Sequence, residues 1–415
     1  MNDKWYKKIS SVDFQNNIWT VLSSSITSLY VFLVVLIVTR MVSLEAAGSA
    51  SFAFAISLFF HVIIMFGVRL FQGSDVKESQ YFHSYFAMRI CSALLAVVLM
   101  AAFLFVSSFE ATRAAVVALT FSIYLSDGFA DVFMGDLQQK GKMRIAGRMR
   151  VCAFGLSLIA FAITIFLSKT LILSFLISAI VLNVVYITWI WTYRRHFGRI
   201  RIKFDVGAIK EIFKDVFPIF LGVLVFNYLF QMQKYYLGLM FSEEDVAILA
   251  ILTMPVAVIS LLSFSLFGGA EITKTANVHA IGKPKEFSRR INKQLLLSAG
   301  LMVLFIFSCY IFGLPLLAWV FNVDLSAYAH EFFVLSAGGS LFALYSVLYS
   351  VIIVLRRQKA FFYCVMAVAI VVAPLMWFVV AEYGITGAAF TNTAVLVPLV
   401  LLSYIVYRKT QIRST

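Results

Sequence analysis

The chain has 415 residues, of which 62% are apolar and only 13% charged, with a formal net charge of +14; this balance excludes an ordinary water-soluble domain and makes lipid its main solvent. The cations punctuate apolar runs and do not gather in a basic tail or on one soluble face, which excludes a nucleic-acid partner. Cys91, Cys152, Cys309 and Cys364 fall inside or at the ends of apolar runs with no metal-knuckle or redox spacing, and read as small buried hydrophobes.

A helix needs about 20 predominantly apolar residues to cross the hydrocarbon core. By that rule the first half is expected to span at Ile18 to Val38, Ala46 to Phe66, Met88 to Val106, Ala114 to Met134, Met149 to Leu167 and Leu171 to Tyr193. The second half is expected to span at Val216 to Gln233, Val246 to Phe267, Leu295 to Phe312, Phe332 to Leu355, Phe361 to Val380 and Gly387 to Tyr407. The N-terminal stretch is polar and amphipathic, and the apolar run after it continues to Val38 with no small-residue cleavage site, so the first span is expected to remain in the membrane.

Lys and Arg are retained preferentially in cytoplasmic loops. Of the 34 in this chain, only Arg40, Arg113, Lys169 and Lys234 fall on one side; the rest, including Lys4, Lys7, Lys8, Arg144, Arg356 and Arg413, share the other side with both termini. Both termini are therefore expected in the cytoplasm, with Trp189, Trp191 and Tyr193 anchoring the inner interface beside Arg194 and Arg195.

The longest basic connection separates six spans from six and defines an N-terminal lobe at 1–193, a linker at 194–214 and a C-terminal lobe at 215–415. Loop lengths repeat across it, and the short outer links Ser43-Leu44-Glu45 and Ser242-Glu243-Glu244 echo each other. Matched halves of this kind imply an all-α membrane fold of two pseudo-symmetric six-helix lobes with a path between them, and so transport. With no outer loop long enough to fold into a domain, and no HExxH, Walker A, GxSxG or Cys/His metal pattern, the chain is read as a transporter and not an enzyme, with no bound cofactor.

Polar groups inside spans are expensive and mark functional positions or structural pairs. Ser23, Ser24, Ser25, Thr27 and Ser28 on the first span either pack closely or line a hydrated path. Asn227, Gln231, Gln233 and Lys234 give its counterpart, the seventh span, a polar wall. Asp127 and Asp131 are four apart and share one face of the fourth span; they either couple transport to a proton or cation, steer a polar substrate, or form a structural pair, satisfied by neighbouring helices or by Arg144 and its basic companions. Arg40 and Lys234 either snorkel to the outer interface or form an anion site. Arg69 and Arg89 flank the polar loop after the second span, where they either serve topology or hold a lipid pyrophosphate. His61 stands alone among apolar neighbours, where a histidine is more often hydrogen-bonded and structural than titrating, and is assigned no role.

Four stretches carry a family resemblance: Arg69 to Ala96, Ser126 to Arg150, Gln233 to Pro255, and YGITGAAFTN from Tyr383 to Asn392. In order and spacing they resemble the polysaccharide (O-antigen, Wzx-type) flippase branch of the multidrug/oligosaccharidyl-lipid/polysaccharide (MOP) exporter superfamily, across nearly the whole chain. The resemblance implies a bacterial plasma-membrane protein that moves undecaprenyl-pyrophosphate-linked oligosaccharide repeat units outward by alternating access for surface polysaccharide (lipopolysaccharide) synthesis. It implies an H+ or Na+ gradient as driving force, and lipid-linked oligosaccharide, membrane lipids, a polysaccharide polymerase and glycosyltransferases as partners. The cations meeting the pyrophosphate would carry over to Lys234, Arg40 and Arg69. A cation-coupled multidrug exporter of the same fold is the alternative, followed by a membrane-embedded glycan polymerase or acyltransferase.

Overall fold

A computed structural model describes residues 12–69, 72, 82–197, 204–267, 271–272, 275–276, 278, 281, 284–355 and 357–412. Of the basic positions assigned to the cytoplasmic side, Lys4, Lys7, Lys8, Lys77, Arg199, Arg201, Lys203, Lys274, Lys283, Arg356 and Arg413 lie outside the described residues, as do positions 70–71 and 73–81 of the stretch from Arg69 to Ala96. The chain divides into two compact units, Met1–Phe220 and Leu221–Thr415. The division falls inside the helix that follows the basic linker.

Unit 1 is built from helices α1 (Val12–Met41), α2 (Leu44–Met65), α3 (Phe82–Ser107), α4 (Ala111–Gln139), α5 (Met143–Ser168) and α6 (Leu171–Thr192), joined by the first turns of α7 (Val206–Met240). Several helices run past their apolar spans because helical hydrogen bonding continues into polar residues at the membrane surface; α4, for example, reaches Gln139. Unit 2 takes the rest of α7, then α8 (Glu243–Leu252), α9 (Met254–Phe267), α10 (Pro284–Ser308), α11 (Leu314–Phe321), α12 (Ala329–Ser340), α13 (Phe342–Val354) and α14 (Gln358–Ile412). Among the described residues, eleven helical stretches are long and apolar enough to cross a membrane. The last of them contains two expected spans: Gly384 breaks α14 at φ 55 and ψ −128, a conformation essentially restricted to glycine. A Cβ on Gly387 would sit 2.2 Å from the carbonyl oxygen of Val379, whereas eight residues of straight helix would separate them by about 12 Å. The chain turns back at Gly384, so the eleven stretches make twelve passes.

Each unit buries its second and fourth spans and leaves the third outermost. In unit 1, 67% of the most apolar stretch of both α2 and α4 is buried against 22% for α3; in unit 2 the corresponding shares are 56%, 67% and 11%. The outward residues of the peripheral helices are large and apolar, with Phe105 87% and Val303 62% exposed. Such surface is costly in water and neutral in lipid. The protein is a multi-pass membrane protein. Cys91 corrects one expectation: it sits on the outer side of α3 and is exposed, Cys152 is half-buried, and only Cys309 and Cys364 are buried.

The two serine links have one local cause. Ser43 caps α2 by accepting a 3.0 Å hydrogen bond from the Ala46 amide, and Ser242 caps α8 with a reciprocal bond to Asp245, each filling donors that helix starts leave orphaned. In unit 1, α1 packs on α5, where Gly147 lies so close to Trp19 that a Cβ would stand 2.4 Å from its carbonyl oxygen. Tyr30, Ser157 and Ser178 tie α1, α5 and α6 with hydroxyl contacts of 2.8 and 2.6 Å. At the end of α6, Trp189 and Tyr193 stack at 4.9 Å and Arg194 lies 4.5 Å over the Trp191 ring.

Candidate functional site

The fourth helix of unit 1 carries Asp127 and Asp131 one turn apart, and the bundle wraps three guanidinium groups around them. Arg150, two turns into α5, donates from Nε and Nη2 to the two oxygens of Asp127, each at 2.9 Å, and Nη2 also reaches Asp131 Oδ1 at 3.3 Å. Arg89, two turns into α3, donates to Asp131 Oδ2 at 3.1 Å and to the Ile64 carbonyl. Arg69, just past α2, donates to Asp131 Oδ1 and, at 3.3 Å, to Gln138. Tyr186 on α6 donates to Asp127 Oδ1 at 2.6 Å. His61 on α2 brings Nε2 to 3.4 Å from Asp127 Oδ2.

Close packing makes this convergence possible. A Cβ on Gly128 would meet Ile64 Cγ2 at 2.2 Å, so α4 can lie this close to α2 only because that position is glycine; one on Gly135 would meet Oε1 of Gln72, beyond α2, at 2.1 Å. The Phe66 turn that ends α2 (φ 45) stacks on Phe220 at 4.0 Å and on Phe213 at 5.4 Å, tying the foot of α2 to the first turns of α7.

The cluster is deeply buried: Asp131 and Arg89 have no exposed side-chain surface, Asp127 has 1% and Arg150 11%. Arg69, at 22%, and His61, at 17%, are its most open members. Three guanidiniums against two carboxylates leave an excess of one positive charge. Buried charges persist only when paired and hydrogen-bonded, and the bidentate Arg150–Asp127 fork is the strongest pairing available.

The two aspartates do share a face, and their partners are named by the structure. Arg144, proposed as a partner, instead binds Gln15 and Asn16 on α1 at 2.6 and 2.8 Å; the basic companion that reaches the aspartates is Arg150. Arg69 and Arg89, read as flanking a loop, converge on Asp131. Their long side chains reach into the bundle from its end, a direction spacing does not reveal. His61, assigned no role, belongs to the same constellation; its only sequence signal was a polar residue in a wholly apolar run.

In unit 2, Gln233 of α7 is 1% exposed and accepts a 2.9 Å hydrogen bond from Asn392, which is 5% exposed. Gln233 also donates to the Leu229 carbonyl at 3.0 Å. Asn227 back-bonds to Val223 at 3.4 Å, while Gln231 is half-buried. Lys234 is half-buried and makes no ion pair among the described residues. Arg40 is exposed at the end of α1 in unit 1. On α1, Ser23 is buried, while Ser24 and Thr27 back-bond to their own helix at 3.0 Å each.

A family model described as "Polysaccharide biosynthesis protein" matches residues 14–272. No curated protein matches the chain. Among solved structures, an inward-facing multidrug resistance MATE family transporter of the MOP superfamily superposes with a TM-score of 0.66 at 13% identity, covering 93% of this chain and 94% of that one. The eukaryotic MATE transporter AtDTX14 gives 0.66 at 14% identity with full coverage of both chains. A mutant form of the Vibrio cholerae MATE transporter VcmN gives 0.66 at 12%, covering 99% and 98%. At these identities the likeness establishes the fold.

Proposed function

Because the chain belongs to the polysaccharide biosynthesis protein family, we propose that it is a flippase carrying undecaprenyl-pyrophosphate-linked oligosaccharide repeat units from the cytoplasmic to the outer face of a bacterial plasma membrane. The observation that carries this reading is the family match over 14–272, on a chain with the fold of MOP superfamily transporters. Alternating access between two lobes is the mechanism such a fold supports. Both termini lie in the cytoplasm in this reading, on the side to which the cations are biased. In this reading the glycosyltransferases that build the repeat unit act before it and the polysaccharide polymerase acts after it.

Lys234 supports an anionic cargo: a partly buried ammonium without an ion pair among the described residues has its charge available for a pyrophosphate or acidic sugar. The family resemblance adds Arg40 and Arg69, at opposite ends of the second span of unit 1, as further candidates for meeting anionic cargo. Asp127 and Asp131, within the ion cluster, belong to the coupling machinery, driven by H+ or Na+.

A clean deletion in the source organism tests the reading. Lipid-linked repeat units are expected to accumulate on the cytoplasmic face while surface polysaccharide is lost, with recovery on complementation. Normal surface polysaccharide in the deletion strain overturns it. Increased drug sensitivity with normal polysaccharide identifies a multidrug exporter of the same fold instead.

A further inference from the structure

One face of α10, the least buried span in either unit, carries a groove of about 670 Å³ lined by Leu296, Ala299, Gly300, Val303, Leu304 and Phe307. All six belong to α10, so no other described element covers it. Its floor is Gly300, where a Cβ would meet nothing within 4 Å, and Leu296, Val303 and Phe307 stand exposed around that position. Such a trough is costly in water and neutral in lipid, which calls for a lipid chain without choosing the lipid.

Length and charge choose it. From Leu296 to Phe307 the groove follows about 16 Å of helix, one leaflet's share of a hydrocarbon core about 30 Å thick. Just before it on the same face, at successive spacings of four, come Lys285, Arg289 and Lys293. All three are exposed and make no ion pair among the described residues. Arg290, beside them but half-buried, is instead paired with Glu271, and Glu286 is the one carboxylate on α10. A surplus of exposed positive charge therefore leads directly into an apolar trough as long as one leaflet is deep.

We propose that this face of α10 binds an anionic phospholipid from the leaflet on its basic side. Arg289 and Lys293 take the headgroup, with Lys285 beyond them, and one acyl chain lies over Gly300 between Leu296 and Phe307. In the topology drawn from the cation bias this is the cytoplasmic leaflet. A zwitterionic headgroup brings its own cation and gains little from the basic stripe, whereas a net anionic one gains from all three charges. A second copy of this chain, docked here by a two-fold axis along the membrane normal, would set the same cations against each other. Such a lipid is held whatever the protein transports.

Native mass spectrometry of the full-length protein tests this, after delipidation in detergent and titration with palmitoyl-oleoyl phosphatidylglycerol or the matching phosphatidylcholine. The first phosphatidylglycerol is expected to bind about tenfold or more tightly than phosphatidylcholine. Arg289→Gln with Lys293→Gln should remove most of that preference and leave phosphatidylcholine binding unchanged. Gly300→Leu, which fills the groove, should weaken the first phosphatidylglycerol about fivefold or more. The three positions are exposed, so these variants should unfold at the wild-type midpoint. In the wild-type protein itself, raising ammonium acetate from about 0.1 to 1 M, which shortens the screening length from about 10 to 3 Å, should erase the preference. Equal affinity for the two lipids, or phosphatidylglycerol binding untouched by either variant, overturns the proposal. So does displacement of the bound phosphatidylglycerol by equimolar undecaprenyl pyrophosphate, which would give the groove to the cargo. A dimer that Gly300→Leu dissociates would give it to a second copy and overturn the proposal equally.

Discussion

Asp127 on α4 and Arg150 on α5 are joined by two parallel 2.9 Å hydrogen bonds, with 1% and 11% of their side chains exposed. The fork fixes the mutual register of two helices where lipid-facing apolar contact specifies it weakly, since lipid tails solvate leucine as well as a neighbouring helix does. Removing one partner leaves the other charge buried and uncompensated. Asp127→Asn is therefore expected to destabilise unit 1 by about 3–5 kcal/mol, read as a lowered thermal unfolding midpoint in detergent. Arg150→Lys keeps the charge and loses the fork, so a smaller drop is expected. Equal drops would show that the fork geometry, and not charge alone, carries the stability.

Gly128 is the contact point of α4 on α2. Its missing Cβ would stand 2.2 Å from Ile64 Cγ2, and Gly128→Ala is expected to cost about 1–3 kcal/mol through overpacking. Combining it with Ile64→Ala opens the space, so the double variant should be more stable than the sum of the two singles predicts. Strict additivity in denaturation would refute the contact.

In unit 2, Gln233 and Asn392 are each other's buried amide partners at 2.9 Å. Gln233→Leu strands the Asn392 donor and is expected to cost about 1–3 kcal/mol, whereas Gln233→Leu with Asn392→Leu should recover much of that loss. Thermal unfolding of the two variants side by side decides it.

Lys234 makes no ion pair among the described residues, so Lys234→Met should leave the unfolding midpoint nearly unchanged. A charge-assisted hydrogen bond to an anionic cargo is worth about 1.5–3 kcal/mol, and flipping is expected to fall about tenfold or more. Full activity in Lys234→Met would remove this residue from the substrate path.

Gly384 adopts φ 55 and ψ −128 where α14 turns back. Gly384→Ala is expected to cost about 1–3 kcal/mol, seen as easier proteolysis at 381–387 in the folded protein. Unchanged protection would mean that the turn tolerates a Cβ.

Much of this protein was legible because its constraints are local. A run of about 20 apolar residues can only be a span, so the passes, their ends and the lipid-facing surface follow from hydropathy. The spacing of Asp127 and Asp131 put them on one face, and the paired serine links proved to be helix caps, all within a few residues of chain. The four stretches that carried the resemblance also supplied the polar contacts: Arg69 and Arg89 come from the first, Asp127, Asp131 and Arg150 from the second, and Gln233 and Asn392 from the third and fourth.

The partners of those polar groups were decided by the tertiary structure. Arg144 and Arg150 are both cations on the same helix, yet only Arg150 points at the aspartates, because Gly147 seats α5 against Trp19 and turns Arg144 toward α1. Arg69 and Arg89 read as headgroup cations until folding carried them into the bundle, and His61 read as a bystander until α4 placed a carboxylate 3.4 Å away. Hydropathy along a helix fixes which residues avoid lipid. Which of them meet depends on helix register and rotation, set by glycine contacts and side-chain reach between segments far apart in sequence.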